Sequence, residues 1–421
     1  MLQISTFCIL LLMSVQFAFS VEEARSEKLY PITDHGRDGF INHNGDVVIK
    51  AEYAYVEEFS EGLALAFVYA TEDLPKHYVF IDESGNVTAK IPFESYSKIR
   101  SFRNGRAIVS KNDLFGAIDR NGNEVIPLKH AFIGDFSENR ARFLENGKMG
   151  YIDEMGKIVI KPQFDPGQYK YYSYMGVFHF DNADFSEGLA AVNKNGKYGY
   201  IDTSGTTVIP FKYTFARPFK NEIAVVSENN KNIFISKRGE EQLSTDYQFA
   251  FNFSEGFAVV GRDDKFGFID QRGNEITDTI FENARGFENG VAYVKQNGSE
   301  TLIDTTGKPI IPFGYNSMYG FHGKIALAKK DGLLYFINKS GRVEGSSELI
   351  EYRPLLNQSS NLIRINVCRE VAYLDDNLKI IWPKNLSKRC RSIDTNQDYN
   401  FCELSGLTEF DKQVVCSFPE N

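Results

Sequence analysis

One short phrase recurs ten times along this chain of 421 residues, and its spacing limits what the chain can fold into. The phrase is an aromatic or apolar residue, then Ile or Leu, then usually Asp, then a turn containing Gly. It stands at Phe40-Ile41-Asn42, Phe80-Ile81-Asp82, Ala117-Ile118-Asp119, Tyr151-Ile152-Asp153 and Tyr200-Ile201-Asp202. It continues at Phe234-Ile235-Ser236, Phe268-Ile269-Asp270, Leu302-Ile303-Asp304, Phe336-Ile337-Asn338 and, more weakly, Tyr373-Leu374-Asp375. From Ile201 through Ile235, Ile269 and Ile303 to Ile337 every step is 34 residues. A fixed period of this size marks a stacked array, in which each unit contacts its neighbours and added length adds copies rather than cores.

A second marker holds the same register. Phe185-Ser186-Glu187-Gly188-Leu189-Ala190 lies between two copies of the first phrase, and its equivalents start at Phe59, Phe102, Phe136, Phe219, Phe253, Phe287 and Phe321. Ile201 to Phe219 is 18 residues and Phe219 to Ile235 is 16. The same alternation recurs around Ile118, Ile235, Ile269 and Ile303.

The residues of one unit predict its shape. Leu189 to Val192, Tyr198 to Ile201 and Thr206 to Ile209 are short apolar, aromatic and β-branched runs. Asn195-Gly196 between the first two is hairpin chemistry, because both residues tolerate positive φ. Asp202-Thr203-Ser204-Gly205 turns the chain into the third run, Asp bonding its own backbone and Gly accepting a left-handed conformation. Pro210 closes that run, since it has no N–H to give a ladder. The expected fold is therefore all-β, a tandem array of about ten three-stranded antiparallel meanders. The connecting segment leaves room for one helical turn, and the Phe of the second marker is expected to plug the gap between units. An open twisted solenoid is favoured over a closed propeller-like ring, because propeller blades usually have four strands and number four to eight.

Charge and chain ends bound the setting. A net charge of −9 argues against nucleic acid or an anionic membrane as partner. Residues 1–20 carry no charged side chain and end in Ala18-Phe19-Ser20, the pattern of a cleaved export signal with Val21 as mature start; an uncleaved anchor is the alternative. No other segment is apolar for long enough to span a bilayer. Four cysteines then remain, Cys368, Cys390, Cys402 and Cys416, clustered in the last unit and the tail. In an exported chain they read as two disulfides of undetermined pairing, with zinc as the alternative, although no C-x-x-C spacing is present and no His follows His322. Residues 21–38 are expected to cap the first unit, 39–385 to form the array, and the Cys-rich segment 386–421 to cap the last, because uncovered array ends invite aggregation.

The units resemble WG repeats, whose consensus runs close to Lys-Trp-Gly-Tyr-Ile-Asp, a Gly turn, Val-Ile-Pro and then Phe-Ser-Glu-Gly-Leu-Ala. Lys197-Tyr198-Gly199-Tyr200-Ile201-Asp202 and Lys265-Phe266-Gly267-Phe268-Ile269-Asp270 match with another aromatic in place of Trp. Lys148-Met149-Gly150-Tyr151-Ile152-Asp153 and Leu114-Phe115-Gly116-Ala117-Ile118-Asp119 match more loosely, and the Trp is absent from every copy. The resemblance covers roughly residues 39 to 385. It implies a β-rich repeat scaffold engaged in protein interaction and supplies no catalytic residues.

Candidate sites are few. The recurrent acids Asp82, Asp119, Asp153, Asp202, Asp270 and Asp304 are expected to cap their own turns rather than hold calcium, which needs six to eight converging oxygens. Glu61, Glu138, Glu187 and Glu255 of the second marker are expected to be exposed turn acids. There is no Gly-x-Ser-x-Gly elbow, His-Glu-x-x-His or phosphate-cradling loop, and the six His are scattered. No catalytic residue, metal ligand or cofactor is therefore expected. The largest departure from the period is between Ile152 and Phe185, 33 residues where 18 is standard. This insertion, about 165–184, holds Tyr169, Tyr171, Tyr172, Tyr174, Phe178 and Phe180. Insertions in repeat arrays project from one face, and clustered Tyr offers rigid amphipathic contact area. These six rings are the candidate partner surface, for a protein or alternatively a carbohydrate, unless the insertion is a hairpin that buries its own rings. The expected function is an exported, non-enzymatic scaffold.

Overall fold

Each copy of the phrase becomes the middle of one antiparallel sheet. The computed structural model describes residues 28–72, 74–166, 170–172, 177–179, 183–347, 350–352, 362–367 and 370–384. Among them stand ten sheets of three or four strands, one per phrase, in which consecutive strands are neighbours, plus one two-stranded hairpin. No described residue is helical, so no helix there is long and apolar enough to cross a membrane. The units are numbered one to ten in chain order.

Units five and six show the pattern. Unit five comprises Leu189–Lys194, Lys197–Asp202 and Thr207–Tyr213. Unit six begins with a two-residue strand, Phe215–Ala216, followed by Ile223–Glu228, Lys231–Ser236 and Glu241–Thr245. The connecting segment is thus extended, not helical: Phe215 and Ala216 pair with Ser227 and Val226 and supply a fourth strand. The hairpin expected at Asn195-Gly196 forms with both residues at positive φ, 54° and 77°.

The central strands are buried on both faces, which explains their unbroken apolar runs. Ala190, Val192 and Ile201 pack toward unit four with Tyr151, Ile160 and Phe185. Leu189, Ala191, Tyr198 and Tyr200 face the other way, with Ala216, Phe219 and Val226 of unit six. Alternate residues of one strand therefore belong to two successive cores. Each fully buried side chain of this size contributes about 1.5–3 kcal/mol.

The Gly of the phrase has a steric cause. A Cβ on Gly199 would lie 2.7 Å from the Ile209 carbonyl oxygen. The third strand is bulged there: Tyr198 pairs with Tyr213 but Tyr200 with Ile209, so four steps on one strand face two on the other. Gly39, Gly116, Gly150 and Gly267 sit in the same interrupted register. Where the position holds Val79, Ile233 or Tyr335, pairing runs through it without a shift. Bulge and glycine occur together because only glycine leaves room for the folded-in backbone.

The tandem meanders are as expected, but the array is not open. Unit one, Tyr30–Asp34, Arg37–Ile41 and Val47–Tyr53, meets unit ten, Ile350–Tyr352, Ile363–Val367, Glu370–Leu374 and Ile380–Trp382. Tyr30, Ile32 and Ile41 share one core with Leu362, Tyr373 and Trp382. The turn glycine Gly45 approaches Ile381 as Gly205 of unit five approaches Ile160 of unit four. Unit one therefore sits on unit ten as every unit sits on its predecessor, and the array closes into a ring. Closure removes the exposed array ends for which caps were expected. Residues 30–38, assigned above to an N-terminal cap, belong instead to the first hairpin of unit one.

Candidate functional site

The recurrent polar residues hold the ring together. Asp202 Oδ1 accepts from the backbone N–H of Ser204 and Thr206, both at 2.9 Å. The same two bonds recur at Asp82, Asp119, Asp153, Asp270, Asp304 and Asp375. Side-chain bonds from Asn86, Ser204, Asn274 and Thr306 lead in holding Asp82, Asp202, Asp270 and Asp304 below the usual carboxylate range.

The second marker does more than turn the chain. Ser186 Oγ donates to the carbonyl of Phe219, one unit on, at 2.7 Å, and Ser60, Ser137 and Ser254 do the same to Phe102, Phe185 and Phe287. The Glu187 carboxylate receives the N–H groups of Asn221 at 2.6 Å and Glu222 at 2.9 Å. Glu61 and Glu255 clamp the next turn in the same way, and Glu138 accepts from Gly188. The glutamates expected to be exposed turn acids are thus clamps between units. Their donors lie one unit on, 34 to 50 residues away, a relation that a single unit does not show. The marker Phe fills the gap as expected: Phe219 is buried against Tyr200 with ring centroids 4.8 Å apart.

The aromatic insertion forms a hairpin, Lys170–Tyr172 with Val177–His179, pairing Tyr171 with Phe178 and Tyr172 with Val177. Tyr169, Tyr174 and Phe180 lie outside the described residues, as do Cys368, Cys390, Cys402 and Cys416 and the leader 1–20.

A second feature was not legible in the sequence. Five successive units, from unit ten across the closure to unit four, line a cleft of about 480 Å³ whose residues come mostly from units one to three. Its acids are Asp38, Glu57, Glu58 and Asp135, and its bases are Lys98, Arg100, Arg103 and Arg364. Asp38 accepts from Thr33 Oγ1 at 2.8 Å and from the Val56 N–H at 3.3 Å. Glu57 accepts from Ser101 Oγ at 3.0 Å, and Arg100 pairs with Asp135 at 2.9 Å. Tyr55 is 54% exposed on one wall. Burial first, then Glu57 and Asp38, raise its phenol above the ordinary range, with Arg364 opposing.

A family model for the WG containing repeat matches nine segments: 39–68, 80–115, 115–148, 149–165, 178–198, 198–231, 234–266, 266–299 and 301–333. Together they cover more than half of the chain. The chain belongs to the WG-repeat family. The match stops at 333, so unit ten of this WG-repeat protein lies outside the matched segments. No curated protein matches it in sequence. Among solved structures it is similar to a eukaryotic initiation factor at 11% identity, covering 76% of this chain and 96% of that one, with TM-score 0.48. BamB from Moraxella catarrhalis is similar at 13% identity, covering 75% and 90%, with TM-score 0.34. AztD from Citrobacter koseri is similar at 12% identity, covering 72% and 90%, with TM-score 0.32.

Proposed function

We propose that this WG-repeat protein is an exported, non-enzymatic scaffold that presents its ring to a protein partner. The observation that supports the reading is how the recurrent polar side chains are used. Asp, Ser and Glu of the two markers bond to turns within units and between them, so the repeated machinery builds a support. The largest addition to that support is the hairpin of the insertion, whose Tyr-rich sequence suits a contact surface. Export rests on the leader and on the cysteine cluster.

The test compares two baits, the chain from Val21 and the same chain with residues 167–182 replaced by a short turn. Circular dichroism and thermal unfolding check that both rings are folded. A protein captured by the first bait and lost with the second is purified and its affinity for each remeasured. A large loss of affinity on deletion supports the scaffold reading. Equal affinity removes the hairpin from it. Retention of polysaccharide instead of protein favours sugar binding, with the same Tyr rings stacking on the saccharide.

A further inference from the structure

We propose that the cleft at the ring closure binds a small carboxylate-bearing molecule, gripped by Arg364 and Arg103 and seated against Tyr55. This goes beyond the scaffold reading and does not depend on the insertion.

The cleft has four acids and four bases, but they are engaged unequally. Asp38, Glu57 and Asp135 each accept a hydrogen bond or ion pair from a neighbour in the fold. Glu58 lies in the field of Lys28. On the cationic side Arg100 is taken up by Asp135. Lys98 and Arg103 pair with no carboxylate among the described residues. Among the described residues the Nε of Arg364 is buried without a hydrogen-bond partner. Arg364 itself lines the cleft, and a partly desolvated guanidinium gains from pairing its outer N–H groups with an oxygen anion there.

The positions of these groups narrow the class further. Arg364 comes from unit ten, and Lys98 and Arg103 from unit three, on either side of units one and two. Between them Ile32, Val56 and Ile99 form a buried apolar floor, and Tyr55 offers an accessible ring face. A ligand with an acidic group and a ring or sugar body fits both parts. Guanidinium binds carboxylate and phosphate equally well by geometry. The four carboxylates already in the cleft repel a dianion more strongly than a monoanion, which selects carboxylate.

The experiment is calorimetric titration of the full mature chain at low salt with galacturonate, benzoate, galactose and inorganic phosphate. Binding of at least one of the two carboxylates, and neither galactose nor phosphate as tightly, is expected. Arg364→Gln and Arg103→Gln should each weaken it roughly tenfold to a hundredfold, the range for a charged hydrogen bond. Added salt should weaken it as well. Arg364 stands near the closure, so thermal unfolding without ligand checks that variant, and exposed Arg103 carries the test if it fails to fold. The chain lacking 167–182 should bind like the parent, which separates this proposal from the scaffold reading. No binding of either carboxylate, equal binding of galactose or phosphate, or undiminished affinity in Arg103→Gln would overturn it.

Discussion

The joint between units five and six and the closure between units ten and one do the same task with different parts. At the interior joint Tyr200 stacks on Phe219 and its hydroxyl donates to the Arg217 carbonyl at 2.7 Å. Ser186 and Glu187 add three bonds to the next turn, and the chain itself runs across. At the closure Tyr30 meets Tyr373 at 5.7 Å, and the Tyr373 hydroxyl donates to the Pro31 carbonyl at 2.7 Å. Among the described residues no Ser or Glu clamp crosses there. The Lys384–Asp46 pair is exposed on both sides and is worth at most about 1 kcal/mol. The closure keeps the apolar and aromatic core of a joint, lacks its covalent link and, among the described residues, has none of its Ser and Glu clamps.

The largest expected effects probe this difference directly. Phe219→Ala and Trp382→Ala each empty a buried aromatic position, and each should cost about 3–5 kcal/mol locally. In Phe219→Ala the loss should appear as a lower global unfolding temperature, because the chain keeps both halves of the joint together. In Trp382→Ala it should appear as fraying, with hydrogen exchange accelerating in 28–41 and 362–384 while interior units stay protected. Equal global destabilisation by the two variants would mean that the closed ring unfolds as one unit and that the closure is a joint like any other.

A smaller effect separates units with a bulge from units without one. Gly199→Ala places a methyl 2.7 Å from the Ile209 oxygen, and overpacking of this kind should cost about 1–3 kcal/mol. Unit six has Ile233 at the equivalent position in regular register. Ile233→Ala should there cause only the loss of a half-buried side chain, with no change in strand pairing. Amide exchange across Thr207–Tyr213 and Glu241–Thr245 reads both. Identical behaviour of the two sheets would break the link between glycine and bulge.

What the sequence disclosed follows the same division. Everything encoded within one period was legible: the Asn195-Gly196 hairpin, the Asp202 turn, the burial of Phe219 and the alternation of strands. Relations between units were harder to see. Glu187 looks like a surface acid until Asn221, 34 residues on, is brought to it. The closure was least legible, because Pro31 and Tyr373 are 342 residues apart and ring closure depends on a small rotation repeated at every joint. The cleft draws on five units and only Arg364 reaches it across the closure, so no local motif announces Arg364 beside Tyr55.

The smallest predicted effect concerns a joint with an irregular plug. The buried aromatic that ends the third strand is Tyr53, Phe164, Tyr213 or Phe281 in other units, but in unit three it is His130. Its ring lies edge-on to Phe143 at 5.4 Å, and its Nε2 is buried without a hydrogen-bond partner. Burial first, then neighbouring Lys129, depress its pKa below the ordinary imidazole value, with Glu145 opposing. The fold therefore prefers the neutral ring. Its contribution is fully present above the unfolded pKa and is lost as pH falls through the lower folded value. Between pH 7 and pH 5 the wild-type unfolding temperature should drop slightly more than that of His130→Phe. The turn carboxylates Asp82, Asp202, Asp270 and Asp304 have folded pKa values below the usual carboxylate range, so they hold their contribution through this window. They lose it only in more acid solution, which keeps the two effects apart. Parallel pH profiles for wild type and His130→Phe would show that position 130 fills space at its joint and does not titrate there.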